Sequence, residues 1–260
     1  MSEHESGEVD DDGPWGREPP TWDVLLDPER LAAALGWDLL PSAITSNPPR
    51  ACYDLGDGSS GVIVWSDDDP TPCRVHTERG GVCEGDLLRL DGGWITQWVT
   101  VSNGIEHGTS WQFQWGRVIG RYTLEHGTGL DLWYEARGVL SEEHPMREGT
   151  HHGPIRWWCD ARRVWSEEWT HEGRRHGVWR EWVIEEPMTL QSGFPSFWVS
   201  GEEVTRGAYE RACDHDPTLR PYDPEEDAPE RDLPAFEPLD GAPTQHDVIL
   251  AISRLDALPE

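Results

Sequence analysis

Lysine is absent from this sequence, and positive charge of any kind is scarce. All 21 basic residues are arginine, against 50 Asp and Glu residues in a chain of 260, and the formal net charge is −29. Because phosphate contacts need clustered cations, this balance argues against binding to nucleic acid or to an anionic membrane. Two interpretations of the acidity stay open: a surface that keeps the protein soluble, and a face that docks a basic partner.

Long apolar runs are missing as well. No stretch approaches the ~18 residues that a membrane span needs, and the opening sequence, MSEHESGEVDDDG, lacks the basic and apolar regions of a signal peptide. The cysteines are odd in number and widely spaced: Cys52, Cys73, Cys83, Cys159 and Cys213. We therefore expect reduced thiols, a cytoplasmic location and no membrane span.

Recognisable catalytic and metal-binding motifs are also missing. Four potential metal ligands lie close together in the sequence: His144, His151, His152 and Cys159. Their spacing matches no known ligand motif. The pairs Glu142-Glu143 and Glu167-Glu168 lie on predicted strands, where neighbours point to opposite faces, so neither pair can act as a glycosidase dyad. We expect no catalytic residue, no metal site and no cofactor, and hence a protein that is not an enzyme.

Tryptophan, glycine and proline are abundant, with 16, 27 and 21 residues respectively. This composition predicts frequent turns and few long helices. The alternation of Trp111, Phe113 and Trp115 is the period-two pattern of a strand with one buried face.

Four His-Gly steps divide the central part of the chain, and an aromatic or apolar run follows each one. Glycine accepts the positive φ of a tight turn. We therefore expect a repeat turn at each step: His107-Gly108, His126-Gly127, His152-Gly153 and His176-Gly177. Within the sheet, turns are also expected near Gly104, His126, Asp160 and Glu172.

The segments from Arg147 to Trp158 and from Trp169 to Trp182 resemble MORN-type repeats of the second variant, which occur in YwqK-like antitoxin components. The resemblance implies β-hairpins stacked into one elongated antiparallel sheet, and it implies a toxin-neutralising role. Two features depart from the family pattern. The steps are unevenly spaced, and Glu106 and Glu125 precede the first two histidines where the family has a basic residue.

The predicted fold class is mainly β: an elongated antiparallel sheet of stacked β-hairpin repeats with a few short flanking helices. The four predicted parts are a disordered acidic tail (1–20), an N-terminal cap with a short helix and strands (21–93), MORN-like repeats (94–199) and a helical, Pro-rich acidic segment (200–260). Helices are predicted at Pro28–Gly36, Thr205–Cys213 and Gln245–Leu258, whereas Pro41–Pro49 should interrupt regular structure.

These features indicate a non-enzymatic protein-interaction module, with a toxin or another basic protein as the candidate partner. A structural component of a larger assembly and a Trp-rich carbohydrate-binding protein remain as alternatives. The predicted partner-binding residues come from the two most regular repeats: Arg156, Trp158, Trp179, Arg180 and Trp182. Because neighbours on a strand face opposite ways, a core Trp179 would leave Arg180 and Trp182 exposed, and one member of the pair Trp157-Trp158 should be relatively open.

Overall fold

The chain folds into one open antiparallel sheet of 17 strands. The computed structural model describes residues 32, 43–46, 49–65, 72–92, 94–236, 239 and 241–243. Apart from β7 and β12, each strand pairs with the strand that follows it in the sequence. The short strands β7 and β12 precede β8 and β13, and both members of each pair lie beside one neighbour, which is β6 for β7 and β8 and β11 for β12 and β13. The strands are β1 (Ala43–Ser46), β2 (Pro49–Asp54), β3 (Ser59–Trp65), β4 (Pro72–Arg79), β5 (Val82–Asp91), β6 (Trp94–Ser102), β7 (Ile105–Glu106), β8 (Gly108–Gln114), β9 (Arg117–Glu125), β10 (Thr128–Glu135), β11 (Val139–Arg147), β12 (Thr150–His151), β13 (Gly153–Trp158), β14 (Val164–His171), β15 (Arg174–Glu181), β16 (Ser196–Val199) and β17 (Glu202–Val204).

Helices are few in the part of the chain that the structure describes. They are the α-helix α1 (Arg206–Cys213) and two 3₁₀ turns, Ala136–Gly138 and Pro224–Asp227. The side chain of Thr205 caps α1 by accepting a hydrogen bond from the N–H of Ala208, as the sequence predicts. No helix among the described residues has the length and apolarity that crossing a bilayer demands.

The predicted mainly β class is confirmed, whereas several local expectations fail. Pro41–Pro49 was expected to interrupt regular structure, but Ala43–Ser46 forms β1. β2 begins with Pro49, because a proline at the first position of a strand removes no needed ladder hydrogen bond. The predicted tail 1–20 and the helix Gln245–Leu258 lie outside the described residues, as does the helix Pro28–Gly36 apart from the buried Ala32.

The repeats are set by tight turns in which both central residues have positive φ. This is the requirement of a type I′ turn, whose twist matches that of the flanking strands. The turn glycines fall at positions 104, 127, 149, 173 and 201, so each repeat is 22 to 28 residues long. The N–H of each of these glycines donates to a backbone carbonyl of the preceding unit at 2.7 to 3.0 Å. The turn dipeptides are Asn103-Gly104, His126-Gly127, Glu148-Gly149, Glu172-Gly173 and Ser200-Gly201.

The turns correct the sequence-based placement of the repeat. His126-Gly127 is a turn as predicted, but the other three His-Gly steps lie three residues beyond one: His107-Gly108, His152-Gly153 and His176-Gly177. At Gly153 and Gly177 the glycine lets adjacent strands approach closely. A Cβ on Gly177, for example, would lie 2.3 Å from the Cβ of Trp169. Three of the units thus carry two glycines four residues apart, and the turns predicted near Gly104 and Glu172 lie at the first glycine of their units.

A polar side chain beside the second glycine holds the next turn. Nδ1 of His107 accepts the backbone N–H of His126 at 3.1 Å, and Nδ1 of His176 accepts that of Ser200 at 3.0 Å. Thr128 and Glu84 accept a turn N–H in the same way, from Glu148 and Asn103 respectively. Because Glu84 lies in β5, the repeat pattern begins before residue 94.

Three apolar clusters lie along the sheet. The first surrounds β2–β6, the second surrounds β9–β15, and the third joins β15 and β16 to α1 and the residues after it. In the third cluster Tyr209 and Leu219 pack on Phe197, which fixes the segment after α1 against one face of the last strands. The candidate functional site lies on these last strands.

The close stacking of turns predicts unequal costs for the same substitution. Gly127→Ala would place a Cβ 2.3 Å from the backbone N of Gly149, whereas Gly104→Ala meets only a side-chain carbon, Val82 Cγ1 at 3.4 Å. Both variants carry the strain of positive φ, about 1–2 kcal/mol. Gly127→Ala should therefore lower the free energy of unfolding by about 2 kcal/mol more, as overpacking does. If urea denaturation showed that the two variants lose equal amounts of unfolding free energy, the stacking of the turns would be contradicted.

Candidate functional site

Four charged residues of alternating sign form a row across adjacent strands. Glu143 of β11 pairs with Arg156 of β13, Arg156 with Glu167 of β14, and Glu167 with Arg180 of β15. Direct cross-strand partners lie on the same face of a sheet, so all four share one face. Nε of Arg156 donates to Oε2 of Glu167 at 2.8 Å, and Nη1 of Arg156 donates to Oε1 of Glu143 at 3.3 Å. We call these residues the charged row.

The chain itself covers the charged row with residues 219–231, here called the covering segment. Arg180 is 0% exposed. Its Nε donates to Oδ1 of Asp227 at 3.0 Å, and its Nη2 donates to the carbonyl of Asp223 at 3.2 Å. Trp182 Nε1 also donates to a backbone carbonyl of the covering segment, that of Asp227, at 2.8 Å. The row is therefore an internal contact between the sheet and its own C-terminal part.

Glu167 is the centre of this contact. Nε and Nη2 of Arg231 each donate to one of its carboxylate oxygens at 2.9 Å, and Nη1 of Arg180 lies 3.6 Å from Oε1. Burial alone would raise the pKa of Glu167, but hydrogen bonds and charge from Arg231 and Arg156 outweigh it and hold the pKa at about 2. The carboxylate is thus ionised at neutral pH although the side chain is only 2% exposed.

A polar cleft of about 550 Å³ lies beside the covering segment, lined by four arginines and six acidic residues. Three of the arginines are already engaged: Arg156 and Arg231 with Glu167, and Arg220 with Glu226 at 2.5 Å. With three of its four arginines paired and its carboxylates in excess, the cleft does not suit an anionic ligand.

The opposite face of the same strands carries tryptophan. Trp157, Trp179 and Trp198 lie on β13, β15 and β16, and each neighbours a residue that faces the covering segment. All three are half-buried, and none belongs to the three apolar clusters of the described residues. We call this side of β11–β16 the tryptophan face.

A guanidinium group already lies on the tryptophan face. Cζ of Arg175 is 3.8 Å from the ring centroid of Trp179 and 4.9 Å from that of Trp198, while its Nε donates to Oε2 of Glu168 at 2.8 Å. Phe194 packs edge-on against Trp179 with ring centroids 5.2 Å apart. A ring face together with a carboxylate is therefore the means by which this surface holds a cation.

Acidic residues outnumber arginine on this face. Glu142 pairs with Trp157 across the ladder, Glu203 pairs with Trp198, and Glu181 pairs with Ser166. Glu142 contacts the imidazole of His144 at 2.8 Å. Burial lowers the pKa of His144 despite that carboxylate, so the imidazole is neutral at pH 7 and the charge of Glu142 is not cancelled.

The predicted partner-binding residues divide between the two faces. Trp158, Arg180 and Trp182 are buried, at 5%, 0% and 3% exposure, and so are not available to a partner. The expected exposed pair of Arg180 and Trp182 required Trp179 in the core, whereas Trp179 is half-buried and lies outside the apolar clusters of the described residues. The alternation of side chains correctly predicts that Arg180 and Trp182 lie on the face opposite Trp179, but the covering segment buries that face. Arg156 belongs to the charged row, and of the five only Trp179 lies on the tryptophan face.

Three residues of the tryptophan face, Arg175, Trp198 and Glu181, did not appear among the sequence-based candidates. Trp157 was expected to be the open member of its pair only as one of two possibilities, and the structure selects it. The register of strand pairing would have assigned all four of these residues to one face. That register depends on β-bulges in β13–β15, which the sequence does not mark.

The potential metal ligands named from the sequence are only partly brought together in the described part of the chain. The structure places no cluster of three or more His, Cys, Asp or Glu there that could hold a metal ion. His144 and His151 meet edge to face, while His152 packs against His171 with the two rings inclined at 50°. Burial raises the pKa of the Cys159 thiol, which disfavours the nucleophilic thiolate.

No family model matches this chain, and the curated proteins contain no match to it. The resemblance to MORN-type repeats therefore stays a prediction.

The buried charged row predicts a large effect of removing one member. Arg180→Ala would leave Glu167 and Asp227 short of a buried cation and should destabilise the protein by about 3–5 kcal/mol. Arg174→Ala, at an exposed position of the same strand, should change the free energy of unfolding by no more than about 0.5 kcal/mol. Similar losses in the two variants, measured by urea denaturation, would show that the row contributes little.

The lowered pKa of Glu167 predicts a specific pH dependence. Because the folded value, about 2, lies below the unfolded value of 4.5, its contribution to stability is present above pH 4.5 and is lost as the pH falls toward 2. The stability difference between the wild type and Glu167→Gln should narrow over this window by on the order of 3 kcal/mol. A difference that stays constant between pH 5 and pH 2 would contradict this account.

Proposed function

We propose that this protein is a non-enzymatic protein-interaction module that binds its partner through the tryptophan face. The observation that carries the proposal is the placement of Trp157, Trp179 and Trp198 together on one face, half-buried and outside the apolar clusters of the described residues. Grouped aromatic side chains that are not needed for the core are typical of protein-binding sites, where tryptophan and arginine supply most of the energy.

The two faces of the last hairpins have different roles in this proposal. The covering segment occupies the face of the charged row, so that face serves stability. The tryptophan face binds the partner. A toxin-neutralising role and a cytoplasmic location belong to the same proposal, the first supported by the resemblance of the repeats and the second by the five cysteines, none of which forms a disulfide.

Carbohydrate binding is the less favoured alternative. A sugar platform needs open, flat ring faces, but the guanidinium of Arg175 covers the ring of Trp179 at 3.8 Å. Assembly through an edge strand also has weak support, because the edge strand β17 has only three residues and short edges are a common protection against pairing.

The test compares capture of partners from a lysate of the native host by the full chain and by single variants. Trp179→Ala and Trp198→Ala should each weaken capture of the same protein by about 2 kcal/mol, roughly thirtyfold, as hot-spot residues do. Trp115→Ala is the matched control, because Trp115 is 56% exposed at the β8–β9 turn. Circular dichroism should confirm that each variant keeps its fold. Capture that is equally strong with all variants would refute a role for the tryptophan face.

A further inference from the structure

We infer that the partner segment bound by the tryptophan face is cationic and contains arginine, with one guanidinium group placed over Trp157 beside Glu142. This inference rests on the proposed function and adds the chemistry of the partner to it. It follows from a comparison of two positions on the same face, one of which already holds an arginine of this chain.

The first position shows how the face binds a cation. Trp179 supplies the ring, Glu168 supplies the carboxylate, and Arg175 lies between them, with Cζ 3.8 Å from the ring centroid and Nε 2.8 Å from the carboxylate oxygen. Glu168 and Trp179 are direct cross-strand partners. A guanidinium group suits such a pair because it stacks flat on the ring while its N–H groups reach the carboxylate.

The second position has the same ring and carboxylate without an arginine. Trp157 and Glu142 are direct cross-strand partners, as Trp179 and Glu168 are. Among the described residues, no guanidinium group lies over the Trp157 ring. The imidazole of His144, which contacts Glu142 at 2.8 Å, lies beside the ring, with the two ring centroids 6.0 Å apart and the planes inclined at 60°. Trp165 packs beside the Trp157 ring at 6.1 Å, with the two rings inclined at 46°, and supplies a second aromatic wall. An arginine from another chain would stack on the Trp157 ring and replace the imidazole of His144 as the partner of Glu142.

The surrounding charge selects the same class of partner. Glu181 lies one strand beyond Ser166 in the row that contains Trp157, and Glu203 lies beside Trp198. Within the described residues neither carboxylate takes part in an ion pair. Glu142 has only the imidazole of His144, which is neutral at pH 7 because burial lowers its pKa. Like-charge repulsion would exclude an acidic segment, and the net charge of −29 would speed the approach of a basic one.

Arginine fits better than lysine at this position. A lysine ammonium is a strongly hydrated point charge, whereas a guanidinium group is planar and more weakly hydrated, so stacking on Trp157 costs it less water. An uncharged apolar segment would bury the ring but would leave Glu142 and Glu181 desolvated without a cation.

The test selects short random peptides on the full chain and removes those that also bind Trp157→Ala. We expect the remaining peptides to be enriched in arginine. Replacing every arginine of a selected peptide with lysine should weaken its binding about tenfold, and Glu142→Gln in the protein should weaken binding of the original peptide by a similar factor. Glu125→Gln, an exposed glutamate at the end of β9, is the matched charge control and should leave the affinity unchanged.

Each outcome of the selection distinguishes the inference from the proposed function. Peptides that depend on Trp157 but are apolar or acidic would overturn the cationic partner and leave the interaction module standing. The absence of any peptide sensitive to Trp157→Ala would overturn the position over Trp157, whereas the capture experiment with Trp179→Ala and Trp198→Ala decides the interaction module. Arginine-rich peptides whose affinity is the same for the wild type and Glu142→Gln would show attraction by overall charge alone, which also overturns the specific position over Trp157.

Discussion

The carboxylate of Glu167 holds together the part of the molecule on which the site depends. Arg156, Arg180 and Arg231 surround it, two of them from neighbouring strands and one from 64 positions further along the chain. An ionised side chain at 2% exposure is tolerated only because each oxygen is paired with a cation. The same contact fixes the covering segment over one face and leaves the other face of the last hairpins to carry Trp157, Trp179 and Trp198. Burial of charge on one side of the sheet and presentation of aromatic rings on the other are thus two results of one arrangement.

Charge is handled in opposite ways on the two faces. In the charged row, acids and arginines alternate and cancel, which is the condition for burying them. On the tryptophan face, Arg175 is the one arginine on the described strands, and it is already bound by Glu168. The sequence has no lysine that could neutralise the remaining carboxylates. An excess of negative charge beside half-buried rings is costly for the isolated protein. In the proposed interaction a cationic partner would offset that cost.

Local pattern was sufficient to predict the sheet, because strand periodicity and glycine spacing depend only on nearby residues. The cap of α1 by Thr205 was predictable for the same reason. The burial of Arg180 and Trp182 was not predictable, because it depends on Asp227, which is 47 residues away from Arg180 in the sequence. The misplaced repeat turns have a different cause. Three units offer two glycines four residues apart, and the hydrogen-bond pattern of the folded sheet shows that the first of them closes the hairpin.

The stacked turns also bear on how the molecule is assembled during synthesis. Each turn glycine donates to a carbonyl of the unit just before it, so a hairpin finds its docking surface already made by earlier residues. Contacts between neighbouring units close short loops, which costs little chain entropy and favours rapid, stepwise growth from the N-terminal side. The covering segment is the exception. It can dock only when β13, β14 and β15 are in place, so Arg180 and Glu167 lack their partners Asp227 and Arg231 until that part of the chain has been synthesised.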